Sequence, residues 1–175
     1  MMSQPQESVQ PLIERVTSRM LVLLENEFKI AATNIRYDFN DVKQLKLNYL
    51  TSMIVIEEPM SVIFAFSFDE PLAYAVMKSY TIELDVDPSS ESQYVQDSAA
   101  DVINIVLGNS LTSFQIYDKA IELTPPIVLV GAKTIYRKQT ATFYSSEIET
   151  EQGNMKIFCL GPQVLFDHRL NYKGD

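Results

Sequence analysis

Apolar side chains fall at Ile13, Val16, Met20, Leu23, Leu24 and Phe28, a spacing that predicts a helix from Leu12 to about Ile30 with one face turned to a core. Ahead of it, residues 1–9 are polar and contain Pro5, and they read as a flexible leader. Two strand-like stretches follow, Leu45–Glu57 and Ser61–Phe68. The second is dense in β-branched and aromatic residues, and Glu57-Glu58-Pro59-Met60 breaks the pair, so together they predict an antiparallel hairpin. Asp69 before Glu70 and Pro71 is a helix-start signature, with a short helix over Leu72–Ser79.

Residues 84–92 read as a polar, turn-rich loop, and a third helix is expected from about Ser92 to Phe114. After Ile121–Leu123 and Pro125-Pro126, the apolar run Ile127–Val130 predicts a buried strand. Strands over about Lys138–Ile148 and Met155–Leu160 flank a Gln152-Gly153-Asn154 turn and predict a second hairpin. The pattern predicts one α+β domain over residues 10–162, a mostly antiparallel sheet packed by two long helices and a short one, with residues 163–175 as a tail. It shows no repeat, no low-complexity tract and no linker.

Composition narrows the function. Lys+Arg number 14 and Asp+Glu 23 among 175 residues, a net charge of −9, which argues against a nucleic-acid or polybasic membrane surface. The lone Cys159 excludes an internal disulfide and, with the lone His168, leaves no His/Cys cluster for a metal. No two of the five glycines are close enough to cradle a phosphate, so Walker and dinucleotide folds are not expected. The opening MMSQPQESVQ lacks the character of a signal peptide, and the longest apolar runs fall far short of the roughly 20 residues of a membrane helix. The cytoplasm is the expected location.

Two catalytic patterns fail on inspection. Asp85-Val86-Asp87-Pro88-Ser89 begins like a calcium loop, but Ser90 stands where glycine is needed and Gln96 where glutamate is needed. As an aspartate-nucleophile box it lacks the long strand-and-helix context, so it reads as a solvated acidic turn. A nucleophilic triad would have to recruit His168, which reads better as a surface imidazole.

The third helix is more informative. Ala99, Val102, Ile103, Val106 and Ser110 make a small-to-apolar face, while Asp97, Asp101, Asn104 and Gly108 are spaced four, three and four apart. At 3.6 residues per turn those four lie within about 60° of one another. A carboxylate and a carboxamide therefore project side by side, with a glycine beneath them that leaves room for a partner. On spacing alone, the plain polar face of an amphipathic helix is the commoner explanation of such a stripe.

Asp97-x3-Asp101-x2-Asn104, then Gly108-Asn109-Ser110, and about twenty residues later Thr124-Pro125-Pro126-Ile127-Val128-Leu129-Val130-Gly131, resembles the signature of the CheC/CheX/FliY chemotaxis phosphatases in its CheX-like form. The resemblance covers about residues 10–160 and implies a single-motif, homodimeric CheX-like domain. It implies hydrolysis of the phospho-aspartate of a CheY-like response regulator. The receiver itself supplies the acyl phosphate and a divalent ion, so no cofactor of the chain's own is expected. By resemblance, Asn104 orients the attacking water, Asp101 accepts a hydrogen bond from the receiver's active-site lysine, and Asp97 and Gly108 contact the partner. Asp101 stands where the family usually has glutamate, a reach shorter by about 1–1.5 Å. That departure motivates the alternative of a non-catalytic receiver-binding module of the same fold. A structural subunit whose polar stripe only faces solvent is the third reading.

Overall fold

The computed structural model describes residues 6–39, 44–57, 62–111, 121–131, 133–136, 142–161 and 172–174. Helix α1 spans Gln6–Asn26, beginning well before Leu12 and ending before Ile30, so residues 6–9 of the expected flexible leader are helical. Pro11 lies inside it, near enough to the start to leave the helix continuous at the loss of one backbone donor. Its end is set by Lys29, whose positive φ of 57° stops the helix, while the Ile30 amide returns to the Leu24 carbonyl at 2.9 Å.

Among the described residues nine strands follow: β1 (Ala32–Asp38), β2 (Gln44–Leu47), β3 (Leu50–Ile56), β4 (Val62–Phe68), β5 (Ile127–Val130), β6 (Lys133–Tyr136), β7 (Thr142–Thr150), β8 (Gly153–Gly161) and β9 (Tyr172–Gly174). Helices α2 (Glu70–Tyr80) and α3 (Glu91–Leu111) lie between β4 and β5. The architecture is α+β: a six-stranded antiparallel sheet in the order β1-β7-β8-β4-β3-β5 and a three-stranded sheet in the order β2-β6-β9.

The large sheet is buried on both faces. One carries Leu50, Ile54, Phe64, Phe66, Phe68, Ile148, Met155 and Ile157, covered by the three helices. The other carries Met53, Ile63, Ala65, Phe143, Phe158 and Leu160, covered by Leu45, Leu47 and Ile135 of the small sheet. Every residue of β4 is therefore buried, and its sequence reads as a near-continuous apolar run, broken only by Ser67, rather than an alternation. Helix α1 is docked on β7 through a buried hydroxyl pair, Thr17 and Ser146, 2.7 Å apart.

Both predicted hairpins form. β3 and β4 pair in register from Leu50↔Phe68 to Ile56↔Val62, and β7 and β8 from Thr142↔Gly161 to Thr150↔Gly153. Three expectations need correction. The stretch 45–57 is two strands in different sheets: the chain crosses between layers at Asn48-Tyr49, where the Asn48 amide donates to the Ser67 hydroxyl at 2.6 Å. The run Ile127–Val130 is an edge strand, with Ile127 and Val130 exposed, because among the described residues β5 pairs with β3 alone. Strands β1, β6 and β9 were not anticipated, and β9 lies within the stretch set apart as a tail. The first leader residues, the 112–114 end of the third helix, residues 138–141 and His168 lie outside the described residues.

The second hairpin is fastened to the start of α2. The Asp69 amide donates to the Asn154 carbonyl and the Asn154 amide to the Asp69 carboxylate, each at 2.9 Å. Asp69 thus precedes α2 as expected, but its side chain grips the hairpin instead of capping the helix. Gly153 sits beside this junction at φ +131°, where a Cβ would come within 3.2 Å of the Leu72 nitrogen. Gly153→Ala is expected to destabilise the fold by about 1–3 kcal/mol, read as a lower midpoint in thermal or urea unfolding followed by circular dichroism.

Candidate functional site

The acidic turn before α3 has a local task. The Asp87 carboxylate accepts hydrogen bonds from the Ser89 amide and hydroxyl, both at 2.9 Å, and these bonds hold its carboxyl below the usual range. They start a single 3-10 turn over Pro88–Ser90 that leads into α3. Asp87 is thus part of a helix entry.

Helix α3 buries Val95, Ala99, Val102, Ile103, Val106, Leu107 and Leu111, packing over β3, β4 and β5 and against α1 and α2. Two buried serines satisfy themselves within the helix: Ser98 donates to the Tyr94 carbonyl at 2.7 Å and Ser110 to that of Val106 at 2.6 Å. The apolar face read from the sequence, Ala99, Val102, Ile103, Val106 and Ser110, is wholly buried.

The opposite face carries the stripe. Asp97, Asp101 and Asn104 are all exposed, and Gly108 is partly exposed. Asp97 accepts a hydrogen bond from Gln93 Nε2 at 2.8 Å, which ties it to its own helix. Asp101 and Asn104 make no side-chain hydrogen bond among the described residues, so one carboxylate and one carboxamide stand free, three positions apart. A Cβ at Gly108 would meet nothing within 4 Å, so the helix surface there is open.

One neighbour escaped the sequence reading. Tyr80, the last residue of α2, is half-buried against Phe28, with ring centroids 5.3 Å apart. Burial, and then the charges of Asp101 and Glu27, push its hydroxyl up to about 12. Tyr80, at the end of α2, therefore lies within charge range of Asp101 on α3 and of Glu27, just past the end of α1. Nothing in their spacing along the chain signals this, because only the packing of α2 against α3 brings Tyr80 near Asp101.

The second half of the motif lies close by. The Val55 amide donates to the Thr124 hydroxyl at 3.0 Å and the Thr124 amide to the Val55 carbonyl at 3.2 Å. Thr124-Pro125-Pro126 thereby guides the chain onto the edge of β3, next to α3. Gly131 ends that strand at φ +94°, a conformation that favours glycine. Among the described residues, no group of three His, Cys, Asp or Glu is arranged to hold a metal ion, and no helix is long and apolar enough to cross a membrane.

The sequence pattern of the family described as "Chemotaxis phosphatase CheX" matches residues 50–149, from the first residue of β3 nearly to the end of β7. The chain belongs to the CheX family. No curated protein matches its sequence significantly. Solved CheX structures share the fold: a chemotaxis protein CheX from Desulfovibrio desulfuricans superposes with a TM-score of 0.68 at 15% identity, covering 85% of this chain and 97% of the other. CheX from Vibrio vulnificus gives 0.66 at 16% identity, covering 86% and 99%. The structure of the CheX–CheY–BeF3–Mg2+ complex from Borrelia burgdorferi gives 0.59 at 15% identity, covering 87% and 96%. At such identities the likeness is one of fold. Within this CheX fold, α3 presents the Asp97–Gly108 stripe outward from the layer of helices.

Two measurements probe the stripe's surroundings. The Tyr80 ring, followed by carbon-13 tyrosine NMR, is expected to ionise near pH 12, and Asp101→Asn to lower that midpoint, because a neighbouring negative charge disfavours the phenolate. Gly108→Ala is expected to raise stability by about 0.5–1 kcal/mol in urea unfolding, since alanine favours the helix and its methyl enters open space.

Proposed function

We propose that the chain dephosphorylates the phospho-aspartate of a CheY-like response regulator, with Asn104 and Asp101 as the acting side chains. The observation that carries this reading is the free carboxamide and free carboxylate standing side by side on the exposed face of α3 in a chain of the CheX family. The complex of CheX with CheY from Borrelia burgdorferi supports the choice of partner.

The chemistry asked of the chain is small. The phosphoryl group and the divalent ion belong to the receiver, so neither a nucleophile nor a cofactor of its own is required. The Asn104 amide group can donate to and accept from one water, holding it in line with phosphorus, a positioning effect. Asp101 accepts a charge-assisted hydrogen bond from the receiver's lysine and sets the register of the helix on the partner. Asp97, already bonded to Gln93, contributes negative charge at the rim, and the open surface at Gly108 admits the receiver backbone. On the same reading the chain acts as a homodimer in the cytoplasm.

The shortened acid favours a second reading, a receiver-binding module that does not hydrolyse. Decay of a phosphorylated receiver separates the two. Hydrolysis predicts faster decay with the wild-type chain, and a loss of that acceleration on the order of 100-fold for Asn104→Ala. Asp101→Ala should weaken turnover, and Asp101→Glu, which restores the missing methylene, should raise it. Equal decay with wild type and Asn104→Ala, together with tight binding to a beryllofluoride-treated receiver, would establish the non-catalytic module instead.

A further inference from the structure

The turn that follows α2 is rigid yet carries unburied apolar side chains. Thr81 is buried, and both its amide and its hydroxyl donate to the Met77 carbonyl, at 3.1 and 3.0 Å. The Leu84 amide closes the turn onto the Thr81 carbonyl at 2.9 Å. Between these fixed points Ile82 is 84% exposed, the most exposed large hydrophobic residue among those described, and Leu84 is 56% exposed. Single exposed aliphatics are ordinary. Two on one pinned turn, two residues from the Tyr80 that borders Asp101, are a presented surface. Ile105, one turn along α3 from Asp101, adds a third at 39% exposure.

We propose that Ile82 and Leu84 form an apolar recognition element for the phosphorylated receiver, seated beside the Asp101–Asn104 face. The inference rests on the receiver reading above and adds a determinant of affinity to it. Charge selects this occupant. The apolar pair alternates with exposed Glu83 and Asp85, and Glu27 and Asp101 lie on the Tyr80 side. Two copies of this surface would bring like charges together, which disfavours a symmetric self-contact. A receiver whose lysine meets Asp101 brings the opposite charge, and its contact with the turn would be an apolar patch flanked by basic side chains. The pinned backbone means that docking orders little further chain, so the buried aliphatic area goes largely into affinity.

The test is the double variant Ile82→Ser/Leu84→Ser in the full chain, with Ile82→Val as the conservative control. The double variant is expected to bind a beryllofluoride-treated receiver about tenfold or more weakly and to raise KM for phosphoreceiver decay by a similar factor. Its kcat should stay within about twofold of wild type and its unfolding midpoint should not move, since neither side chain is buried; Ile82→Val should keep near-normal affinity. Unchanged receiver affinity in the double variant, with the wild type binding normally, would overturn the inference and leave the receiver reading intact. So would a loss of self-association with receiver binding unaffected, which would give the turn to a second copy. A wild-type chain that neither binds nor dephosphorylates receivers would remove both.

Discussion

The burial of one face of α3 governs everything that the opposite face can do. Val102, Ile103, Val106 and Leu107 are at or near zero exposure, and each is worth about 1.5–3 kcal/mol in removal from water. Turning the helix by one residue would lift part of that set into solvent and drive Asp101 or Asn104 inward, where an unpaired polar group costs several kcal/mol. The two penalties act together, so the rotation of the helix is fixed without any contact to the stripe itself. A polar pair with no side-chain hydrogen bonds among the described residues is held in place by the apolar residues behind it.

The large sheet provides the floor for that helix, and its stability comes from being covered twice. Helices bury one face and a small sheet the other, which explains the fully buried β4 and the aromatic density of Phe64, Phe66 and Phe68. The hydrophilic exceptions are managed locally: Thr51 and Ser67 face each other at 2.9 Å, and Thr17 meets Ser146. Ser52, beneath the helix layer, is the one buried side-chain oxygen among the described residues without a partner. Its small size suits a position under α3, where a larger residue would push the helix off the sheet.

What the sequence reveals follows from where side chains are buried. The stripe on α3 was legible because helical spacing converts directly into one exposed face, and the two hairpins because their turns break runs of β-branched and aromatic residues. β1 was not read, although Ile35, Tyr37 and Phe39 alternate with Arg36 and Asp38; Ala32–Asp38 is almost wholly exposed, and it is held by backbone pairing to β7 and by Arg36 bridging Glu147 and Glu149. β6 contributes a single buried residue, Ile135, too little for a pattern. The division of the stretch 45–57 leaves a faint trace: Leu45 and Leu47 are two apart, then Leu50 breaks the period at the crossing between layers. For the edge strand β5, a run of aliphatics suggested burial, whereas its position at the end of the sheet decides its exposure.

The Asp101–Asn104 pair sits on the convex outside of a helix, and a convex surface encloses nothing. It cannot by itself strip a small phosphate ester of its hydration or shelter a reacting water from the bulk. On the proposed reading, the cavity for the chemistry is formed by the other molecule, with this chain serving as its lid. Selectivity for a macromolecule over free metabolites then needs no dedicated gate, because the reaction chamber comes into being only when two surfaces meet.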